Sequence, residues 1–110
     1  MNSSSRFDIQ KAENVSDFVC ETFACSKGDV FCFKDTVFKK SVAYVLFKFF
    51  EYDKRLIASY LNMTYLYVPT AADEIENMFL RVPGFRNNLI EVLKKSGYER
   101  ELVSGIGAVA

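Results

Sequence analysis

The stretch KSVAYVLFKFFEYDKRLIASYLNMTYLYVPTAADEIENMFL, residues 40–80, decides the fold of this chain. Its apolar residues recur at spacings of three and four, which is the period of an amphipathic α-helix. The pattern predicts three helices: one that is apolar over most of its circumference, at about residues 35–51, a short one at about residues 53–62, and one that ends near Leu80. The first of these is expected to be the central helix of the core.

Residues that begin and end helices separate these three segments. Asp53 can accept hydrogen bonds from the first amide groups of the short helix, and Asn62 tolerates the left-handed backbone found at helix ends. Pro69 suits the first position of the next helix. Thr70, with Asp73 three residues later, resembles a capping box and predicts a slightly later start. The beginning of this helix therefore stays open between Pro69 and Thr70.

The flanking segments add one amphipathic helix on each side. Apolar residues at helical spacing predict a first helix at about residues 8–24 and a last one at about residues 83–96. The chain is therefore predicted to be all-α, with five helices in one domain over about residues 8–97. Residues 1–7 and 98–110 are expected to form a disordered N-terminus and a flexible tail, as chain ends commonly do.

The connector after the first helix begins with Ser26-Lys27-Gly28-Asp29, a run that favours a turn. It continues with three apolar residues that we expect to tuck inward, Val30, Phe31 and Phe33. The three cysteines, Cys20, Cys25 and Cys32, contain no CxxC pair, and the chain has no histidine. We therefore expect free thiols and no metal site.

Composition and charge argue against catalysis and against a global attraction to nucleic acid. Fourteen basic and fourteen acidic residues cancel, so any binding to DNA must come from a local patch. The usual catalytic bases and nucleophile pairs are absent without histidine, and no GxxxxGK[ST] phosphate loop occurs. The expected protein is non-enzymatic and uses no cofactor.

The distribution of apolar residues also bears on location. Residues 1–6 are polar and lack the pattern of a secretory signal peptide. The longest apolar run, residues 42–50, is interrupted by Lys48 and is shorter than the about 20 residues that span a bilayer. We expect a cytoplasmic protein without a membrane partner.

A family resemblance is carried by five segments of the sequence. They are Ile9-Gln10-Lys11 and residues 19–23, 40–46, 55–61 and 73–76. In order and spacing they resemble the C-terminal, box-binding domain of the bacterial replication initiator DnaA, and the similarity covers most of the predicted domain. The resemblance implies a five-helix, Trp-repressor-like helix-turn-helix bundle. It also implies double-stranded DNA as the partner, contacted by the short helix and the helix that follows it.

The base-reading residues of that family are replaced in this sequence. An Arg-Asp-His-Ser/Thr-Thr signature opens the recognition helix in the family, and the corresponding places hold Met63, Thr64, Tyr65, Leu66 and Tyr67. Only Thr64 keeps a comparable hydrogen-bonding group. An Arg that binds guanine contributes about 1 to 3 kcal/mol of discrimination, which Met63 cannot supply. Any DNA contacts are therefore expected to be led by the backbone.

Cations around the short helix are the candidates for such contacts. Lys40 falls where the family has an Arg of its basic loop, whereas Phe38 stands where a second Arg is usual. Phosphate contacts are predicted for Lys34, Lys39, Lys40, Lys54 and Arg55, with Thr64, Tyr65, Tyr67 and Thr70 nearest the groove. The lysines could instead only solvate the ends of an apolar helix. Residues 61–80 contain three acids and no Lys or Arg, which opposes insertion of that helix into a groove.

The aromatic turn supports a second hypothesis. Tyr60, Met63, Tyr65, Leu66 and Tyr67 cannot all point inward from one tight turn. An exposed set of Tyr and Met residues without charge is typical of protein interfaces. The chain would then be a relative that has lost DNA binding and contacts another protein or a second copy of itself. The sequence leaves both functions open. It also leaves open stacking of the rings on single-stranded bases, for which Lys54 and Arg55 are the nearest cations, and the arrangement in which these rings only close the core.

Overall fold

The computed structural model describes residues 7–98, and this part of the chain is helical without any strand. Its α-helices are α1 (Ile9–Phe23), α2 (Lys27–Phe31), α3 (Val37–Tyr44), α4 (Lys54–Leu61), α5 (Val68–Arg81) and α6 (Pro83–Lys95). A π-helical turn, Val45–Phe49, continues α3, and a 3₁₀ turn, Tyr65–Tyr67, precedes α5. The all-α prediction is confirmed, whereas the predicted number of five helices is one too few.

The additional helix is α2, which forms where the sequence predicted only a connector. The backbone N–H of Ser26 donates to the Asp29 carboxylate at 3.0 Å, which closes a capping box at the start of the helix. Val30 is buried as predicted, but Phe33 is 90% exposed. The prediction that Phe33 tucks inward is wrong, because the chain leaves the helix at Cys32 and bends through the next residues.

The ends of α4 and α5 show which of the predicted caps form. The Asp53 carboxylate accepts the N–H of Arg55 at 2.7 Å, and Asn62 adopts a left-handed conformation with φ of 62°. These two caps are confirmed. α5 begins at Val68, so Thr70 lies within the helix and the predicted capping box is wrong. The 3₁₀ turn runs directly into α5, so no extended residue precedes the helix for a side chain to cap.

α3 is the central helix of the core, as the sequence predicted. Four consecutive residues of it are fully or almost fully buried, Ser41, Val42, Ala43 and Tyr44. Its most extensive packing is against α5, while α1 lies against its other side. Full burial of a large apolar side chain contributes about 1.5 to 3 kcal/mol. The nearly continuous apolar surface of α3 is therefore explained by contacts with several helices.

The π-helical turn ends the central helix and redirects the chain. The N–H of Phe50 donates to the carbonyl oxygen of Val45 at 3.1 Å, five residues earlier. Glu51 then takes a left-handed conformation with φ of 58°, which few residues other than glycine and asparagine adopt readily. Phe49 and Phe50 both contact the ring of Tyr98, at centroid distances of 5.3 and 5.2 Å.

Both ends of the described chain pack against the rest of the fold through contacts between aromatic rings. The Phe7 ring lies 5.0 Å from that of Tyr52 and 5.6 Å from that of Tyr60. With Tyr98, this extends the body one residue beyond the predicted domain on each side. The rest of the predicted N-terminus and tail lies outside the described residues. Among the helices described, none has the length and apolar character needed to cross a membrane.

Candidate functional site

The turn between α4 and α5 carries three consecutive exposed side chains. Asn62 ends α4, and Val68, which is fully buried, begins α5. Between these two anchors, Thr64, Tyr65 and Leu66 are exposed, with Leu66 at 67%. The exposure predicted for part of this turn is therefore present, and it is centred on Tyr65 and Leu66.

Two cations of α4 lie beside the exposed tyrosine. The Arg55 guanidinium carbon is 5.0 Å from the centre of the Tyr65 ring, and Lys54 Nζ is 5.9 Å from it. Neither cation forms an ion pair with any residue between 7 and 98. These residues, together with Thr64 and Leu66, are called the turn surface below. It combines positive charge, an aromatic ring and an exposed aliphatic side chain.

Tyr67 and Lys40 are held by contacts within the protein. The Tyr67 hydroxyl donates to both carboxylate oxygens of Glu74, at 2.9 and 3.1 Å, and Lys40 Nζ lies 2.8 Å from one of them. Lys40 also lies 5.6 Å from the centre of the Tyr67 ring. The hydrogen bonds from Lys40 and from Tyr67 lower the pKa of Glu74, and the same carboxylate raises the pKa of Lys40. Two predicted DNA contacts are thus engaged in linking α3, the turn and α5.

The exposed face of α5 remains unfavourable for phosphate. Of its three acids, Glu74 is paired with Lys40, and Asp73 lies 3.7 Å from Lys48 Nζ. Glu76 is exposed and forms no ion pair within the described part of the chain. The ion pairs of Asp73 and Glu74 reduce the negative charge predicted for this helix. They do not give α5 a cation that could contact a phosphate, since the helix has no Lys or Arg before its last turn.

Lys39 is fully buried, and the prediction that it contacts DNA is wrong. Its ammonium nitrogen donates to the carbonyl oxygen of Cys32 and, at 2.9 Å, to that of Asn62. Asp35 Oδ1 lies 3.6 Å away. The ammonium therefore exchanges water for two carbonyl groups and one carboxylate, which is the condition for burying a charge. A phosphate has no access to it.

Tyr60 is partly buried and packs against the core. Its hydroxyl donates to Glu13 at 2.8 Å and lies 3.0 Å from Ser16 Oγ, while its ring packs edge-on against Phe31 at 5.1 Å. Burial raises the pKa of this hydroxyl well above its usual value. Met63 is half-buried against the core. Two residues predicted for the interface, Tyr60 and Met63, are therefore less exposed than Tyr65 and Leu66.

The remaining predicted residues and two unpredicted ones lie at the surface. Lys34 and Thr70 are exposed, as a binding role requires. Leu56, at 45% exposure, and Phe33, at 90%, were not proposed from the sequence. The signal for Phe33 was its place outside both helical patterns, directly before Lys34. An aromatic residue in a connector has no helical face to bury it.

Comparisons with protein-family models, with curated proteins and with solved structures found no match to this chain. Over residues 7–98, no three His, Cys, Asp or Glu side chains are grouped so that they could hold a metal ion. Cys20, Cys25 and Cys32 are unpaired thiols that are each partly buried. The geometry of the turn surface is therefore the basis on which a function can be inferred.

Proposed function

We propose that this chain is a non-enzymatic, nucleic-acid-binding domain of the helix-turn-helix type, with contacts mainly to phosphates. A short α4, a tight turn and an α5 that packs along the buried α3 support this assignment. The same order is implied by the resemblance to the C-terminal domain of DnaA. The proposal includes the Trp-repressor-like arrangement of that family.

The observation that carries the proposal is the pair of cations without an acidic partner at the turn. Lys54 and Arg55 lie beside the exposed Tyr65 ring, and neither is neutralised by a described acid. Cations that are not paired with an acid can replace the counterions of a nucleic-acid backbone, which is favourable at low salt. Reading of base edges is left out of the proposal, because Tyr67 is bonded to Glu74 and α5 exposes acids.

The test is a titration of fluorescently labelled DNA duplex with the protein at low and at moderate salt. We expect measurable binding at low salt that weakens steeply as salt rises, because each phosphate contact releases counterions. A binding curve that is unchanged by salt would argue against phosphate contacts. The absence of binding at low salt, both of this duplex and of a labelled single strand, would remove the proposal.

A second candidate function, protein interaction, is favoured by exposed aliphatic side chains. Leu66 and Leu56 are 67% and 45% exposed, and phosphate contacts make no use of them. Apolar side chains beside unpaired cations suit a protein partner that supplies apolar and acidic residues. The same surface could join two copies of this chain.

Self-association is tested by sedimentation of the wild-type protein and of Leu66→Ser over a range of concentrations. A dimer that dissociates in Leu66→Ser supports the second candidate, since an exposed leucine contributes little to folding of the monomer. A monomeric mass for both proteins at every concentration contradicts self-association.

A further inference from the structure

One buried ammonium holds two separate loops side by side. Lys39 Nζ donates to the carbonyl oxygen of Cys32, between α2 and α3, and to that of Asn62, at the end of α4. Two acceptors of one donor nitrogen lie no more than about 6 Å apart. The segments that continue from these carbonyls, towards Phe33 and towards Tyr65, therefore start next to each other.

Exposed rings and unpaired cations alternate in these two segments and in the start of α4. Phe33 is 90% exposed and is followed by the exposed Lys34. Tyr65 is 36% exposed and lies beside Lys54 and Arg55. None of the three cations forms an ion pair within residues 7–98. Rings that accept bases, with cations that accept phosphates, are the composition of surfaces that bind unpaired nucleic-acid strands.

The fold itself gives no reason for the Phe33 ring. A side chain that is 90% exposed contributes almost no burial to folding. Duplex DNA gives it no role either, since the bases of a duplex are stacked on each other and present only their edges in the grooves. A single strand, in contrast, offers the faces of its bases to an exposed ring.

We propose that Phe33, Tyr65 and the cations Lys34, Lys54 and Arg55 form a platform that binds single-stranded nucleic acid by stacking. This inference rests on the proposed function and narrows its ligand to unpaired strands. Bases stack on the two rings with little dependence on sequence, because every base has a π-face. The cations hold the backbone.

The experiment measures anisotropy of a labelled oligothymidine strand and of a labelled hairpin duplex with the same number of phosphates. We expect tighter binding of the single strand at low salt. Phe33→Ser and Tyr65→Ser should each weaken it about fivefold or more, which corresponds to the loss of one stacked base. Leu80→Ser is the matched control, since Leu80 is 49% exposed at the other end of α5. It should bind as the wild type does.

Binding of the two probes distinguishes the platform from the proposed function. Equal affinity of wild type and Phe33→Ser for the single strand overturns the platform. This variant is decisive, because replacing the exposed Phe33 ring should leave folding unaffected. Binding of the duplex without binding of the single strand overturns the platform and keeps the proposed function. No binding of either probe at low salt overturns both and leaves the protein-interaction candidate.

Discussion

The lysines of α3 and of its π-helical continuation differ from the cations of α4 in whether an acid lies within ion-pair distance of them. Lys39, Lys40 and Lys48 each have a carboxylate within 4 Å, and Lys39 is also fully buried. Lys54 and Arg55 have no such partner in the described part of the chain and lie beside an exposed ring. Asp35, Glu74 and Asp73 supply these carboxylates, whereas no described acid pairs with Lys54 or Arg55 at the start of α4. The number of lysines along the sequence therefore overstates the charge that a ligand meets.

Removing the buried charge should have the largest effect. Lys39→Met keeps most of the length of the side chain but leaves the carbonyl groups of Cys32 and Asn62 without their donor. Hydrogen bonds to charged groups contribute about 1.5 to 3 kcal/mol each, so we expect the loss of both to lower the free energy of unfolding by about 3 to 6 kcal/mol. Urea-induced unfolding measures it.

Lys34→Met is the control for this substitution. Lys34 is exposed and unpaired among the described residues, so its replacement should change the free energy of unfolding by no more than about 0.5 kcal/mol. Equal stability of the two variants would contradict the distinction drawn between buried and surface lysines.

An intermediate effect is expected on nucleic-acid affinity. The double variant Lys54→Ala/Arg55→Ala should bind the labelled single strand about tenfold more weakly at low salt, and the magnitude of the slope of log affinity against log salt should fall by about 1.4. The matched double variant Lys40→Ala/Lys48→Ala removes the same charge from paired positions and should lose less. Equal losses in the two variants would show that total charge, rather than the turn surface, controls binding.

The smallest effect is expected from the exposed ion pair of α5. The pKa of Glu74 is lowered by its hydrogen bonds with Lys40 and Tyr67, so its carboxylate stabilises the fold above pH 4.5, the usual pKa of a glutamate. This contribution is lost as pH falls through the lower folded-state pKa. Because the side chain is 45% exposed, solvent screening limits the destabilisation in Glu74→Gln to less than about 1 kcal/mol near neutral pH.

The measurement is urea-induced unfolding of the wild type and of Glu74→Gln, both near neutral pH and well below pH 4.5. The difference between the two proteins should disappear in acid. Glu76→Gln is the control, since Glu76 lies on the same helix without an ion pair in the described residues. A difference that persists in acid would mean that the Glu74 carboxylate is not its source.

The sequence was sufficient where structure depends on neighbouring residues. The ends of α4 followed from Asp53 and Asn62, and the central position of α3 followed from its apolar circumference. α2 was missed because five residues are too few to show a helical period. The π-helical turn at Val45–Phe49 was missed because its apolar residues fit a continued α-helix equally well.

The candidate site was predicted only where it depends on residues that are close together in the sequence. One tight turn cannot bury every ring, which predicted an exposed patch, and Tyr65 and Leu66 are indeed exposed. The sequence could not show that Lys39 is buried, since its acceptors lie 7 and 23 residues away. It also could not show that Phe33 lies near the turn, because the same ammonium creates that proximity.

The sequence by itself determined the helical period, the all-α class and most helix ends, because these depend on side chains and amide groups within one or two turns of each other. Tertiary structure alone decided which charges remain available. Lys40 and its partner Glu74 are 34 residues apart, and only the packing of α5 on α3 brings them together. Electrostatic pairing depends on distance in space, and for this chain that distance separates engaged lysines from those that can meet a ligand.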